Sequence, residues 1–524
     1  MTVNTSPAQL MDSLAAAAVL GTDRAAVVPT SDSSLGKLLG GLEAESPEAR
    51  FLLSAGVVAI YTAAGSRPGT TASTSLAAAP DDDAVPASVQ SGSHLYQIIA
   101  SREPALLIDW SRAAARAGRR VPDEVLPVIL DSCARELHET WVDEVLPALG
   151  ARGLWLAQAN PEWSTVAADF DALCRRWPEA TASARSKLMR WLRRLDPARA
   201  RDLLMASIAD EAADDRAAQL AALEIGLSVA DEPFLERSLD DSSKVVRAGA
   251  ADLLARIADS QLGVRMAQRA RELVKIEQKK KLLGKTTIVL AVELPETSKE
   301  LTRDGVESRK YETLGNKAWM LAQMIGMTPL ATWAEIPGAT PATLIAAAAK
   351  TEWVEPLLCG WSIAAGRQRN AVWCGELARA ILALDTPPLP LLVDRLSALI
   401  APLDPASREE IVGGDLAKRR DALTDSPIWK VLLACNHAWS GAFTTTVLQA
   451  LGHHFKRIAG GWDPALDTAA AIHIAVSASL PAAVRETPGW SSLDVGHSPS
   501  TRRWISSLLS FVQLRREYLK ELSS

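Results

Sequence analysis

LDDSSKVVRAGAADLLARI, residues Leu239 to Ile257, is the stretch on which the reading of this chain turns. Within it Val246, Ala250, Leu253, Leu254 and Ile257 fall at offsets 0, 4, 7, 8 and 11, the spacing that lines one face of an α-helix with apolar side chains. The acidic pair Asp240-Asp241 just ahead marks a helix start, where carboxylates meet the positive end of the helix dipole. Offset by 31 residues (247 − 216 = 31), the pattern returns: Leu204 falls on Leu235, Ile208 on Leu239, Asp210 on Asp241, Arg216 on Arg247 and Leu223 on Leu254. Each copy reads as a helix, a turn carrying aspartate, and a second helix opening near an arginine. Two helices per repeat is the unit from which an α-solenoid is stacked. In the first copy Asp215 stands where the second has Val246, and no third copy is evident in this register.

Composition extends the helical reading to the rest of the chain. Of 524 residues, 48% are hydrophobic and 23% charged, but only 4 are Tyr and 6 Phe, so the apolar fraction leans on alanine and leucine. That length accommodates three or four domains or one long repeat array. The 16 tryptophans read as large side chains that fill gaps where small-residue helices meet. Cys133, Cys174, Cys359, Cys374 and Cys435 form no C-x-x-C pair and are odd in number, which fits reduced, buried thiols in a cytoplasmic protein. A net charge of −6 gives no global pull towards nucleic acid or an anionic membrane. LAAAAVLG, from Leu14, has no basic residues ahead of it, unlike a secretory signal. FLLSAGVVAIYTAAG, from Phe51, is shorter than the roughly 20 residues a membrane span needs. Both read as core helices of a soluble protein.

Residues 1–65 read as an N-terminal helical segment. Residues 66–93, rich in small and polar side chains with an acidic knot at Asp81 to Asp83, read as a flexible linker. Residues 94–278 carry short amphipathic segments separated by Pro, Gly or Asp-rich turns, as antiparallel neighbouring helices do. Residues 279–313 break the pattern: TTIVLAVEL is β-branched and Asp304-Gly305 is a turn signal, so a small β-hairpin-like excursion is expected. Residues 314–524 return to helices and end in an amphipathic, arginine-rich run.

The excursion contains GKTT, which raises nucleotide binding. A phosphate-cradling loop needs glycine five residues before Gly284, where Lys279 stands, and it must run from a strand into a helix. Here the run before it reads helical and the run after it reads as a strand, so a plain turn is expected. The lysines around it, Lys275, Lys279, Lys280, Lys281 and Lys285, are the strongest surface feature and suit solvent, a nucleic-acid backbone or an acidic protein surface. No aromatic residue is interleaved with them for base stacking. His453-His454 are neighbours that point about 100° apart on a helix with no further ligand at metal spacing, and His437 and His473 lie in separate helical segments. No G-x-S-x-G elbow occurs, and Asp214-Asp215 and Asp240-Asp241 are explained as helix-start carboxylates. No catalytic residue, metal ligand or cofactor is assigned.

Leu239 to Ile257 resembles the second half of a HEAT-type repeat, with an acidic turn, then Val-Arg, then small residues where helices approach. The 31-residue spacing is shorter than the roughly 40 to 47 residues of such units. The resemblance implies structural roles: Asp240 or Asp241 caps the second helix, Arg247 pairs with an acidic turn of an adjacent repeat, and Asp210 and Arg216 are the counterparts. Over the whole chain, LGTDR (Leu20 to Arg24), GLWLAQANPEW (Gly153 to Trp163), RRLDPARARDLL (Arg193 to Leu204), the stretch Asp231 to Ile257, RDG (Arg303 to Gly305), AWS (Ala438 to Ser440) and the last helix together resemble an uncharacterised bacterial family, a domain of unknown function. Its members are encoded near MoxR-type AAA+ ATPases, von Willebrand factor A proteins and SWIM zinc-finger proteins, which implies an adaptor or scaffold in an ATPase-linked complex. The expected fold is all-α, a HEAT-like α-solenoid of antiparallel helix pairs with one β-hairpin-like excursion. The expected function is non-enzymatic protein interaction without membrane association. A nucleic-acid-binding solenoid using Lys275 to Lys285 is the second reading, and an enzyme whose site is gathered from distant residues the third.

Overall fold

The computed structural model describes residues 7–22, 33–65, 78–136, 141–280, 286–384, 390–418, 431–457, 468–478 and 499–523. Among these the chain is mainly helical, with two small strand pairs, and it divides into two units, Met1–Ala78 and Ala79–Ser524. In the first unit the helices Pro7–Leu20, Ser34–Gly40 and Pro47–Gly65 enclose a small core of Leu10, Leu14, Leu35, Leu39 and Val58. The second helix starts where Ser33 Oγ accepts from Gly36 N at 3.0 Å, which satisfies a donor the first turn leaves unpaired. So small a core leaves large apolar side chains outside, among them Val19, Leu38, Leu53 and Ile60.

Of the segment read as a linker, residues 66–77 lie outside the described residues. The acidic knot beyond them is tied down: Asp82 accepts from Arg152 N at 3.0 Å and lies 3.2 Å from the buried Arg120. Val85–Pro86 then pairs in parallel with Arg119–Arg120, and a helix begins at Val89.

In the second unit the 31-residue period is present three times. The opening helices Phe170–Arg176, Pro197–Ser207 and Glu232–Ser238 end 31 residues apart, and the partner helices Ala182–Leu195, Ala213–Ala221 and Lys244–Leu254 begin 31 residues apart. Leu173, Leu204 and Leu235 occupy one position of the repeat and Leu192, Leu223 and Leu254 another, and all six are fully buried. The copy missed in the sequence is the upstream one, where Trp177, Glu179 and Arg185 hold the places of Ile208, Asp210 and Arg216. Successive partner helices pack on one another.

A hairpin follows the third copy. Val274–Lys280 (β1) pairs antiparallel with Thr286–Val292 (β2), Val274 opposite Val292 and Ile276 opposite Leu290. This corrects two readings. The run before GKTT is a strand, because its period-two alternation of apolar Val274 and Ile276 with Lys275 and Glu277 finds a pairing partner that outweighs helix propensity. Residues 281–285, between the two strands, lie outside the described residues, and Asp304-Gly305 ends the short helix Lys299–Arg303 rather than joining the strands. GKTT thus leads into a strand, and the helix N-terminus a phosphate loop requires does not follow it.

Beyond the hairpin, Asn316–Gly326 and Val354–Gln368 cross at close range. Gly360 makes this approach feasible: a Cβ there would stand 2.7 Å from Ile325 Cβ and 2.8 Å from Ala322 O. Trp333 meets Trp361 edge-on at 6.0 Å and Trp373 lies 5.6 Å from Trp361, so tryptophans do fill gaps between helices here. The last helix, Pro499–Ser523, returns to the first helices of the unit, Val89–Ser101 and Pro104–Arg116. There Tyr518 donates to Asp109 at 2.5 Å and Arg515 Nε to the same carboxylate at 2.9 Å.

Candidate functional site

The arginines of the repeat act between turns. Arg216 donates from Nε and Nη2 to Asp241 at 2.9 and 2.7 Å, and Arg185, one repeat upstream, donates to Glu211 at 2.6 Å. Each carboxylate is held below its ordinary pKa chiefly by that hydrogen bond. Asp241 also accepts from Ser243 N at 2.7 Å, just ahead of the helix Lys244–Leu254. Asp210 is exposed in the preceding turn. Arg247 bonds its own turn, at Asp241 O (2.7 Å) and Ser242 O (2.9 Å), and reaches Thr302 O at 3.4 Å. Where a next turn would stand, the RDG tripeptide takes over. Arg303 grips Asp240 at 2.6 and 3.1 Å, and buried Asp304 accepts from Arg269 at 2.6 Å and Arg265 at 2.9 Å.

Of the lysine cluster, Lys275, Lys279 and Lys280 lie on the first strand of the hairpin. Lys275 and Lys279 share the solvent face of β1 with Glu277. Lys275 Nζ is 2.8 Å from Glu293, a bond that raises the lysine pKa and lowers that of the carboxyl, and Lys279 Nζ is 3.9 Å from Glu277. Carboxylates thus dilute the charge. Lys280 ends the strand, and Lys281 and Lys285 lie outside the described residues.

The fold also gathers a cleft that no motif announces. Its volume is about 540 Å³, and its walls come from the helices Lys244–Leu254, Asn316–Gly326 and Val354–Gln368 and the turn after Gly305. Five arginines line it: Arg256, Arg309, Arg367, Arg369 and Arg395. Asp252 sits among them. Arg367 donates to its Oδ1 at 2.9 and 2.5 Å and Arg256 to its Oδ2 at 3.0 and 2.7 Å. Burial pushes the Asp252 pKa up, but the charges of Arg367 and Arg256 outweigh it and hold the carboxyl below its ordinary value. Arg309 pairs with Glu307 at 2.8 Å and lies 5.1 Å over the ring of Tyr311, which stacks on Trp319 at 4.1 Å. Gln323 fixes this turn by accepting from Glu307 N at 3.0 Å and donating to Glu307 O at 2.9 Å. Ser362 Oγ, Trp319 Nε1 and Arg395 Nε are buried without a hydrogen-bond partner.

Other chemistry-bearing side chains point elsewhere. His437 lies 3.1 Å from Glu409, and His473 contacts Leu432 O at 3.0 Å with its pKa lowered by burial. Among the described residues no group of three or more His, Cys, Asp or Glu is placed to hold a metal, and no helix is long and apolar enough to cross a membrane. Burial pushes the thiols of Cys133, Cys359, Cys374 and Cys435 up to about 12, which leaves little thiolate at neutral pH.

Fold and site together define a mainly helical protein that carries an arginine-lined cleft. The chain belongs to a family of unknown function, DUF5691, the match running from residue 13 to 522. No curated protein and no solved structure matches it.

Proposed function

We propose that the protein is a non-enzymatic scaffold or adaptor, working in the cytoplasm on a protein partner within an AAA+ ATPase-linked complex. The observation that supports this best is the N-terminal unit, where Leu53 (46% exposed) and Ile60 (71% exposed), seven residues apart on one helix face, stand in solvent with Val19 and Leu38. Large exposed apolar side chains gathered on a small unit suit a protein surface. The resemblance to a family encoded beside MoxR-type ATPases and von Willebrand factor A proteins supports the choice of partner, and stacked HEAT-like helix pairs offer long grooves for it. The arginine cleft supports binding over catalysis. A guanidinium donates hydrogen bonds and accepts none, and the one carboxylate among the described residues lining the cleft, held ionised between two arginines, is a weak base.

The test is sedimentation velocity of the purified chain with the MoxR-type ATPase, and separately with the von Willebrand factor A protein, of the same bacterium. A complex at micromolar concentration that the pair Leu53→Glu and Ile60→Glu abolishes is the expected result. Two components that sediment independently in both mixtures would contradict the proposal. Nucleic-acid binding through the lysine hairpin is the second reading. It requires salt-sensitive oligonucleotide binding that Lys279→Glu, Lys280→Glu and Lys281→Glu remove.

A further inference from the structure

We infer that the arginine cleft is a binding site for a small organic phosphate, a dianion whose carbon skeleton lies along the apolar part of the wall. Charge is the first argument. Among the described residues five guanidinium groups face three carboxylates, an excess of two positive charges (5 − 3 = 2): Asp252 inside, Glu307 against Arg309, and Glu224, which stands 3.5 Å from Arg256 and is shared with Arg190. This excess is concentrated in one cleft of a chain whose net charge is −6. Gathering like charges is unfavourable unless an anion joins them.

The second argument is the unpaired donors. Ser362 is 2% exposed, and its hydroxyl, the Trp319 indole N–H and Arg395 Nε–H are all buried without acceptors beside the cleft. Buried donors are rarely left unmade, and three that lack the same kind of partner call for a group rich in acceptor oxygens. A phosphate monoester supplies several such oxygens and two charges, and the guanidinium fork matches its geometry.

The rest of the cleft describes the remainder of the ligand. Its volume lies within the range of small-molecule sites, well beyond what a bare phosphate fills. Ala248, Ala251, Met327, Ile363 and Ala398 provide an apolar wall. Tyr311 is enclosed between Trp319 and Arg309, so its ring offers no face for a base to stack on, and an aliphatic or sugar skeleton fits better. The wall is also preorganised: Gly305, at φ +82°, is pressed so close to the neighbouring helix that a Cβ would stand 2.7 Å from Ala251 Cβ.

The test is thermal unfolding of the full chain with ribose 5-phosphate, pyrophosphate, succinate, a single-stranded DNA 20-mer or sodium chloride, all at matched ionic strength. The expected result is a saturable rise in Tm with the two phosphates that succinate and chloride do not give. Arg369→Gln, at the exposed rim, should weaken the apparent affinity about tenfold while leaving the circular dichroism unchanged. Lys275→Gln, outside the cleft, should leave the affinity unchanged. Absence of a saturable shift, a response confined to succinate or to the DNA, or an equal response in Arg369→Gln would each overturn the assignment. The outcome is distinguishable from that of the protein-partner proposal, whose test reads Leu53 and Ile60 in the other unit.

Discussion

A guanidinium with no exposed surface must place all five of its N–H groups, and Arg193 does so. It donates from Nε to Ile225 O at 2.8 Å, from Nη1 to Pro197 O and Asp231 at 2.6 and 3.0 Å, and from Nη2 to Leu223 O and Asp231 at 3.1 Å each. Asp231 is as deeply buried and also accepts from Ser228 N at 2.9 Å. Removing one partner strands the other charge, so Arg193→Met or Asp231→Asn should cost about 3–5 kcal/mol in urea unfolding, whereas Arg199→Gln on the surface should leave the unfolding midpoint nearly unchanged. Cysteine reactivity separates in the same way. Half-buried Cys174 should react first with iodoacetamide at neutral pH, and the four deeply buried thiols only in denaturant. Arg193 opens a stretch singled out in the sequence, RRLDPARARDLL, yet its role was not legible, because its carboxylate partner lies 38 residues downstream. The cleft was illegible for the same reason: its five arginines come from four segments far apart in sequence, with only Arg367 and Arg369 on one helix end, and each looks like an ordinary surface or helix-end residue.

At the scale of the element, the period of the pattern was legible and its register was not. The i, i+4, i+7 stripe of Lys244–Leu254 and the aspartate turn identified a helix pair. The upstream copy escaped because Trp177 and Glu179 replace Ile208 and Asp210 while packing in equivalent places. The hairpin shows the opposite failure: Lys, Glu and Gln favour a helix locally, and cross-strand pairing overrides them. The tightest helix crossing makes its own prediction. Gly360→Ala would force a methyl into Ile325 and the backbone carbonyl of Ala322, so a loss of about 1–3 kcal/mol is expected, measured as a fall in the midpoint of denaturant unfolding. The carboxylates between turns predict acid sensitivity. Asp241 and Glu211 have folded pKa values below their unfolded ones, so their contribution is complete above about pH 5 and is lost as pH falls through the folded values. Arg216→Gln should flatten that acid limb in a scan of Tm against pH.

For the molecule as a whole, composition foretold a helical body rich in tryptophan plugs, but not that the last helix would bind the first helices of its unit. Such long-range contacts have no local signature. The latch of Tyr518 and Arg515 on Asp109 joins ends about 400 residues apart in sequence, which a purely neighbour-on-neighbour stack would not do. Burial, with Asp109 alongside, raises the Tyr518 pKa well above its ordinary value. Its contribution is therefore complete below about pH 10 and is lost as pH rises through the folded value, an alkaline limb that Tyr518→Phe should remove. The claim that matters most at this scale is that the protein works by binding another protein. Purification of the tagged chain from its own cells after nuclease treatment, at moderate and at high salt, with bound proteins identified by mass spectrometry, tests it most directly. Recovery of a MoxR-type ATPase or a von Willebrand factor A protein under both conditions is the result expected. Recovery of nucleic acid alone before nuclease treatment, released by salt and with no protein enriched, would contradict it.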